Sequence, residues 1–188
     1  MKLSDTKNDI LDAAQNIIQL RGYNGFSFAD ISETVGIRKA SIHHHFASKA
    51  ALGVAVIRRY RAAFNNLLDE ANSKDPTWIE KIHNYVNIYK SVLEQNKLCL
   101  CGMLASDIET LPKPLKKEIR GFFDDNAAWL SNVINTQFKS MTDKRVHEIA
   151  WHIISSLQGA VILARMQEEI EIFSSTWKTL SLYLKNIK

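Results

Sequence analysis

The stretch FSFADISETVGIRKASIHHHF, residues 26–46, decides the fold of this 188-residue chain. Ser27 stands three residues before Asp30, the spacing of a reciprocal cap that opens a helix. A short helix is predicted over 28–35, with Ile31 and Val35 turned inward. Gly36 follows, where a turn needs a permissive backbone. A second short helix is predicted over 39–45, with Ala40, Ile42 and Phe46 as apolar anchors. Two short helices about a glycine turn, the second polar on its outer side, have the layout of a helix-turn-helix. In that arrangement the second helix enters the DNA major groove, where base edges distinguish all four base pairs. Lys39, Ser41, His43 and His44 are the outer-face candidates.

His43, His44 and His45 are half of the chain's 6 histidines. Consecutive residues on a helix point about 100° apart, because a turn takes about 3.6 residues. Three adjacent imidazoles therefore cannot close on one ion; i, i+4 spacing would be needed. The spacing instead packs His45 against the domain and leaves His43 and His44 outward. Imidazoles gain charge as pH falls through about 6.5, so a DNA-facing pair would strengthen attraction to phosphate in acid.

Helical periodicity continues on both sides. Over 5–21, Ile10, Leu11, Ala14, Ile17 and Ile18 form one apolar face, with Ser4 to cap the start and Gly22 the end. Ser48 can cap a long helix over about 48–72, whose stripe runs through Leu52, Val56, Phe64 and Leu68. Further helices are predicted from Thr77 to about 95, over about 100–109, from Pro112–Pro114 through Phe138, over 143–166 and over 172–186. No segment alternates with period two for long enough to make a strand. The expected fold is all-α, with about nine helices in two modules, residues 1–50 and 51–188.

The composition, 46% hydrophobic and 23% charged, is that of a globular domain. Residues 1–61 hold 9 Lys+Arg against 5 Asp+Glu, whereas residues 62–188 hold 15 of each. The whole excess of positive charge lies in the first third, as in a basic module that meets a polyanion. The N-terminal segment has no signal-peptide core, and no uninterrupted apolar stretch approaches a membrane span. A cytoplasmic protein without a membrane partner is expected, with Cys99 and Cys101 as thiols. There is no nucleophile elbow, Gly-rich phosphate loop, His-Glu-x-x-His or Cys-x-x-Cys, so an enzyme, a cofactor and a metal site are not expected. His83, His147 and His152 are read as structural residues of apolar-patterned helices.

Residues 22–49 resemble the DNA-binding domain of TetR-family transcriptional regulators. Ser27 stands at that pattern's Thr, Gly36-Ile37 at its Gly-Val, Ile42–Phe46 at its Leu-Tyr-x-His-Phe run, and Lys49 at the lysine that follows. The departure is His43, where most members carry Tyr. The resemblance implies that Ser27, Arg38, Lys39, Ala40, Ser41, His43, His44 and Lys49 meet a DNA operator. Lys and Arg would position the helix on phosphates, and base edges would supply specificity.

Two later segments resemble this family more weakly. Cys99–Ala105 is similar to a Gly-Cys-Leu-Leu-Gly-x-Leu-Ala segment of one branch, and Ser156–Arg165 to its late-helix segment. The resemblance implies that residues 1–50 bind DNA and that 51–188 bind a small-molecule effector and form a homodimer through the last two helices. Ile153, Leu157, Val161, Phe173, Trp177 and Leu180 are candidates for that interface or for intramolecular core. Tyr89, Cys99, Met103, Phe123, Trp129, His152 and Gln158 are candidates for the effector site. The implied function is a repressor released from a palindromic operator by ligand. The alternative is thiol-based sensing of oxidants or electrophiles through Cys99.

Overall fold

The computed structural model describes residues 3–71 and 76–187, with side chains from residue 6 onward except that of residue 71. Among the described residues there are nine α-helices and no strand. They are α1 Leu3–Arg21, α2 Phe28–Val35, α3 Lys39–His45, α4 Lys49–Ala71, α5 Trp78–Glu94, α6 Leu100–Ser106, α7 Lys113–Gln137, α8 Asp143–Gln167 and α9 Glu171–Asn186. A 3-10 turn at Ile108–Thr110 separates α6 from α7, where one helix over 100–109 was expected. α1 begins at Leu3, so Ser4, expected to cap a helix from residue 5, lies within the helix, and the expected end of α4 at residue 72 lies outside the described residues.

Local chemistry explains where these helices begin. The Ser27 hydroxyl accepts from the Ala29 N–H at 3.2 Å and donates to Asp30 Oδ2 at 2.6 Å. The Ser27 N–H reaches the same carboxylate at 2.7 Å, completing the reciprocal cap. These hydrogen bonds from Ser27, with Arg21 nearby, hold the Asp30 carboxyl below the usual range. A depressed carboxylate contributes stability above its unfolded pKa and loses it as pH falls through the folded value. Thr77 and Glu80 repeat the device at α5, with bonds of 2.8 and 2.6 Å to Glu80 Oε2. Ser48 Oγ accepts from Ala51 N–H at 3.1 Å at the head of α4, and Thr142 Oγ1 from Arg145 N–H at 3.3 Å at the head of α8.

The chain divides into two compact units. The first is Met1–Ala62 with Leu100–Gly121, and the second is Ala63–Cys99 with Phe122–Lys188. The unit around the helix-turn-helix thus extends beyond residues 1–50, taking in α4 as far as Ala62, all of α6 and the start of α7. Its core includes Ile10, Ile18, Ile31, Ile42, Leu52 and Ile57, none with exposed surface. Here Glu118, nearly buried, accepts from Arg58 at 2.7 and 2.8 Å and faces Arg61 Nη1 at 3.7 Å. A Cβ at Gly121 would lie 2.4 Å from that Arg61 nitrogen, so a larger residue there would displace the flexible end of the Arg61 side chain.

In the second unit α8 packs against α9 and α5. Its 25 residues include a window with mean hydropathy 1.3, so by length and composition it could span a membrane, which the uninterrupted-run criterion had not suggested. The apolar residues Val146, Ile149, Ala150, Ile153, Ile154, Leu157 and Val161 are instead buried inside the unit.

The turn between α2 and α3 depends on Gly36, which has φ 71° and ψ 31°. Its N–H and that of Ile37 both return to the Ser32 carbonyl, at 3.0 and 3.1 Å. A Cβ there would touch nothing within 4 Å, so any cost of adding one is conformational. Gly36→Ala is expected to lower unfolding free energy by about 1 kcal/mol in urea denaturation. An unchanged midpoint would show that the left-handed turn is not a constraint.

Candidate nucleic-acid interface and an aromatic centre

α3 is held from one side. Ile42 has no exposed surface and Phe46 is buried, while Arg38, Lys39, Ser41, His43 and His44 are exposed and His45 is half-buried. Ala40 is exposed too, which corrects its expected role as an anchor. It lies two residues before Ile42, about 200° around the helix, and so faces away when Ile42 faces in. Among the described residues no group of three or more His, Cys, Asp or Glu could hold a metal ion.

Two of the expected DNA-facing residues have partners inside the domain. The His43 ring packs edge-on against Phe28 at 4.8 Å between centroids, so the first residue of α2 orients it. Lys49 turns inward: its ammonium donates to the Phe26 carbonyl at 2.6 Å and lies 4.7 and 4.5 Å from the Tyr23 and Phe26 ring centres. Desolvation pushes the Lys49 pKa down, partly opposed by Asp30. Its position ties α4 to the residue that precedes the Ser27 cap. Ser27 itself is exposed, with its hydroxyl engaged in capping.

The expected effector residues do not all come together. In the second unit Phe64, Tyr85, Tyr89 and Phe122 form an aromatic cluster with centroids 5.0–6.0 Å apart. Tyr85 stacks on Trp129 at 5.7 Å and 19°, and its hydroxyl lies 3.1 Å from that of Tyr89, which accepts from Gln158 Nε2 at 3.3 Å. Full burial drives the Tyr85 phenol pKa far above its ordinary value, with the Tyr89 hydrogen bond opposing. Phe123 is half-buried beside Phe122. Cys99 interacts electrostatically with Tyr85 and is 2% exposed, withholding its thiol from the solvent contact that sensing chemistry needs.

Met103 and His152 lie elsewhere. Met103 belongs to the first unit, near Gly22. His152 is exposed against Tyr183 in a cleft with Ser156, Thr176 and Leu180. His83 and His147 are also exposed rather than enclosed in apolar faces: His83 lies against Trp177, and His147 Nε2 accepts from the Trp151 indole at 2.9 Å. Sequence reasoning missed Asn126, which is fully buried in this unit. The available signal was its place among Phe122, Trp129 and Val133, a polar residue within an apolar helical stripe.

A glycine-hinged helix pair that presents Arg38, Lys39, Ser41 and His44 to solvent defines a DNA-binding transcriptional regulator. Residues 10–56 match the family described as bacterial regulatory proteins, tetR family. A TetR transcriptional regulator from Legionella pneumophila is 34% identical, with 100% of both chains covered and a TM-score of 0.89. A TetR-family regulator from Agrobacterium tumefaciens is 30% identical, with 95% of this chain and 97% of that one covered and a TM-score of 0.89. The biofilm operon icaADBC negative transcriptional regulator IcaR of Staphylococcus aureus is 23% identical, over 95% of this chain and 99% of its own. The chain belongs to the TetR family of bacterial transcriptional regulators.

The inward Lys49 generates a stability prediction. Lys49→Met keeps most of the stem but removes the donor to the Phe26 carbonyl and the charge over two rings. The expected loss is about 1–2 kcal/mol in chemical denaturation without DNA present. Wild-type stability in that variant would leave Lys49 with no role inside the domain.

Proposed function

We propose that the chain is a homodimeric repressor whose α3 helices occupy successive major grooves of a palindromic operator and which a small molecule releases. The carrying observation is the one-sided anchoring of α3, which leaves Arg38, Lys39, Ala40, Ser41, His43 and His44 on its free surface. In functional terms residues 1–50 bind DNA and 51–188 bind effector and dimerise. Arg38 and Lys39 contact phosphates, Ser41, His43 and His44 approach base edges or sugar-phosphate, and Ala40 allows close approach. Ser27 and Lys49 act chiefly by holding α2 and α4 in place. Repression draws on the likeness to IcaR, a negative regulator.

Exposed apolar residues support a dimer through α8 and α9. Ile153, Leu157, Val161, Phe173 and Leu180 are core within the single chain, and Trp177 is half-buried. The free apolar surface lies instead at Ile162, Leu163 and Met166 on α8 and at Leu182 and Tyr183 on α9. Tyr183 lies beside Arg145 and His152, near the start of α8, so the two clusters sit at opposite ends of an antiparallel pair. A two-fold partner can set one copy's α8 cluster against the other's α9 cluster, as a self-complementary interface requires.

Release would operate through α4, whose Phe64 touches Tyr85, Tyr89 and Phe122 in the aromatic centre. An effector that binds the DNA-incompetent arrangement more tightly would move α4 and change the separation of the two α3 helices.

Fluorescence anisotropy with a two-fold symmetric fragment from upstream of the gene tests the reading. Salt-sensitive binding by a dimer is expected, with half-sites about 34 Å apart or a multiple of that spacing. Lys39→Ala is expected to weaken all sequences alike and to reduce the salt slope by about one, while leaving thermal stability unchanged. A Leu163→Glu/Met166→Glu variant is expected to sediment as monomer and to lose operator affinity; a dimeric variant would relocate the interface.

A further inference from the structure

The inward face of α7 carries a polar mismatch. Asn126 has no exposed surface, and its Nδ2 donates to the Phe122 carbonyl at 2.6 Å, yet its Oδ1 has no hydrogen-bond partner among the described residues. One turn on, the buried Trp129 Nε1 also has none. Residues three apart on a helix share a face, so the side chains carrying this acceptor and this donor belong to one face of α7. Ser131 Oγ, likewise unpartnered, lies two residues beyond Trp129 and lines a different cleft with Asp143 and His147.

Burying such groups unpaired is unfavourable, and an apolar residue of similar shape would avoid the cost. The surroundings indicate what could satisfy them. Trp129 stacks with Tyr85, whose hydroxyl meets that of Tyr89, and Tyr89 accepts from Gln158. All these side chains are uncharged aromatics or amides in the neutral form. An ionised ligand brought among them would need a counter-charge that they do not supply.

We infer that Asn126 and Trp129 form the recognition pair for an uncharged planar effector with adjoining N–H and C=O groups, such as an aromatic amide or lactam. The ligand N–H donates to Asn126 Oδ1, the ligand carbonyl accepts from the Trp129 indole, and its ring lies beside the Tyr85–Trp129 stack. This rests on the reading of the second unit as the effector-binding part, and it adds the chemical class of the effector.

Calorimetric titration of the full chain with benzamide and 2-quinolone, and with benzoate and benzylamine as charged counterparts, tests the assignment. Both neutral probes are expected to bind saturably, with the charged pair weaker by about tenfold or more. Trp129→Phe keeps a ring and removes the N–H; Asn126→Leu keeps the approximate volume and removes the amide. Each is expected to weaken benzamide binding by about tenfold, while Asn126→Leu raises the thermal midpoint. Equal binding of benzoate and benzamide overturns the inference, as does unchanged benzamide binding in both variants. Absence of saturable binding by either neutral probe also overturns it. Operator binding without probe tests the regulator reading separately. If benzamide binds at this pair but leaves operator affinity unchanged, the site stands and ligand-controlled release falls.

Discussion

The burial of Ile42 is the constraint on which the DNA-reading surface depends. α3 has only 7 residues, too few to persist as an isolated helix in water. Its rotation is set by what it packs against, and Ile42 with Phe46 sets it. Once Ile42 is inward, Ala40 and His44, two residues to either side, must face out. His43 lies about 100° away, where it leans on Phe28. Lys49 reinforces the arrangement from α4, because the carbonyl it holds belongs to Phe26, next to the Ser27 cap. One side-chain insertion and one inward-turned, half-buried ammonium thus orient two helices and the turn between them.

The same packing changes the meaning of the charge asymmetry. Residues 1–61 carry all of the formal excess, which suggests a uniformly basic module. Arg58 and Arg61, however, are directed to Glu118, and Arg59 to Asp12 at 2.7 Å. These arginines fasten helices within the first unit, with Glu118 contributed from outside residues 1–61. Arg38 and Lys39 stand exposed at the head of α3, so a small local charge, rather than the whole excess, lies on the free surface of that helix.

Helix type and order were legible because the signals are local. Ser27–Asp30, Thr77–Glu80, Ser48 and Thr142 mark helix starts through hydrogen bonds made within three residues. The family motif was legible for the same reason, since it is a short run of anchors about one turn. What covers an apolar face was not legible. Ile153, Leu157 and Val161 have the periodicity of any buried stripe, which cannot distinguish intramolecular core from a subunit contact. The joining of 100–121 to the first unit is a long-range event that local pattern does not report. Asn126 was hidden in the opposite way: one amide in an apolar stripe reads as an interruption until its burial shows that the acceptor is enclosed.

α7 connects that enclosed amide to the anchoring of α4. Its successive turns place Glu118, Phe122 and Asn126 four residues apart, on one helical face. Glu118 receives Arg58 and Arg61 of α4 in the first unit; Phe122 packs on Phe64 of α4 in the second, where Asn65 also donates to Asp125 at 3.2 Å. Asn126 donates to the carbonyl of Phe122 itself. A ligand at Asn126 Oδ1 would therefore engage an amide that already supports the turn of α7 packed on α4. Because close-packed helices resist continuous deformation, the effect on α4 would come from favouring one arrangement of this shared face over another. The ligand could shift that balance only by the difference in its affinity for the two. An acceptor and donor left unmatched in one arrangement would provide that difference.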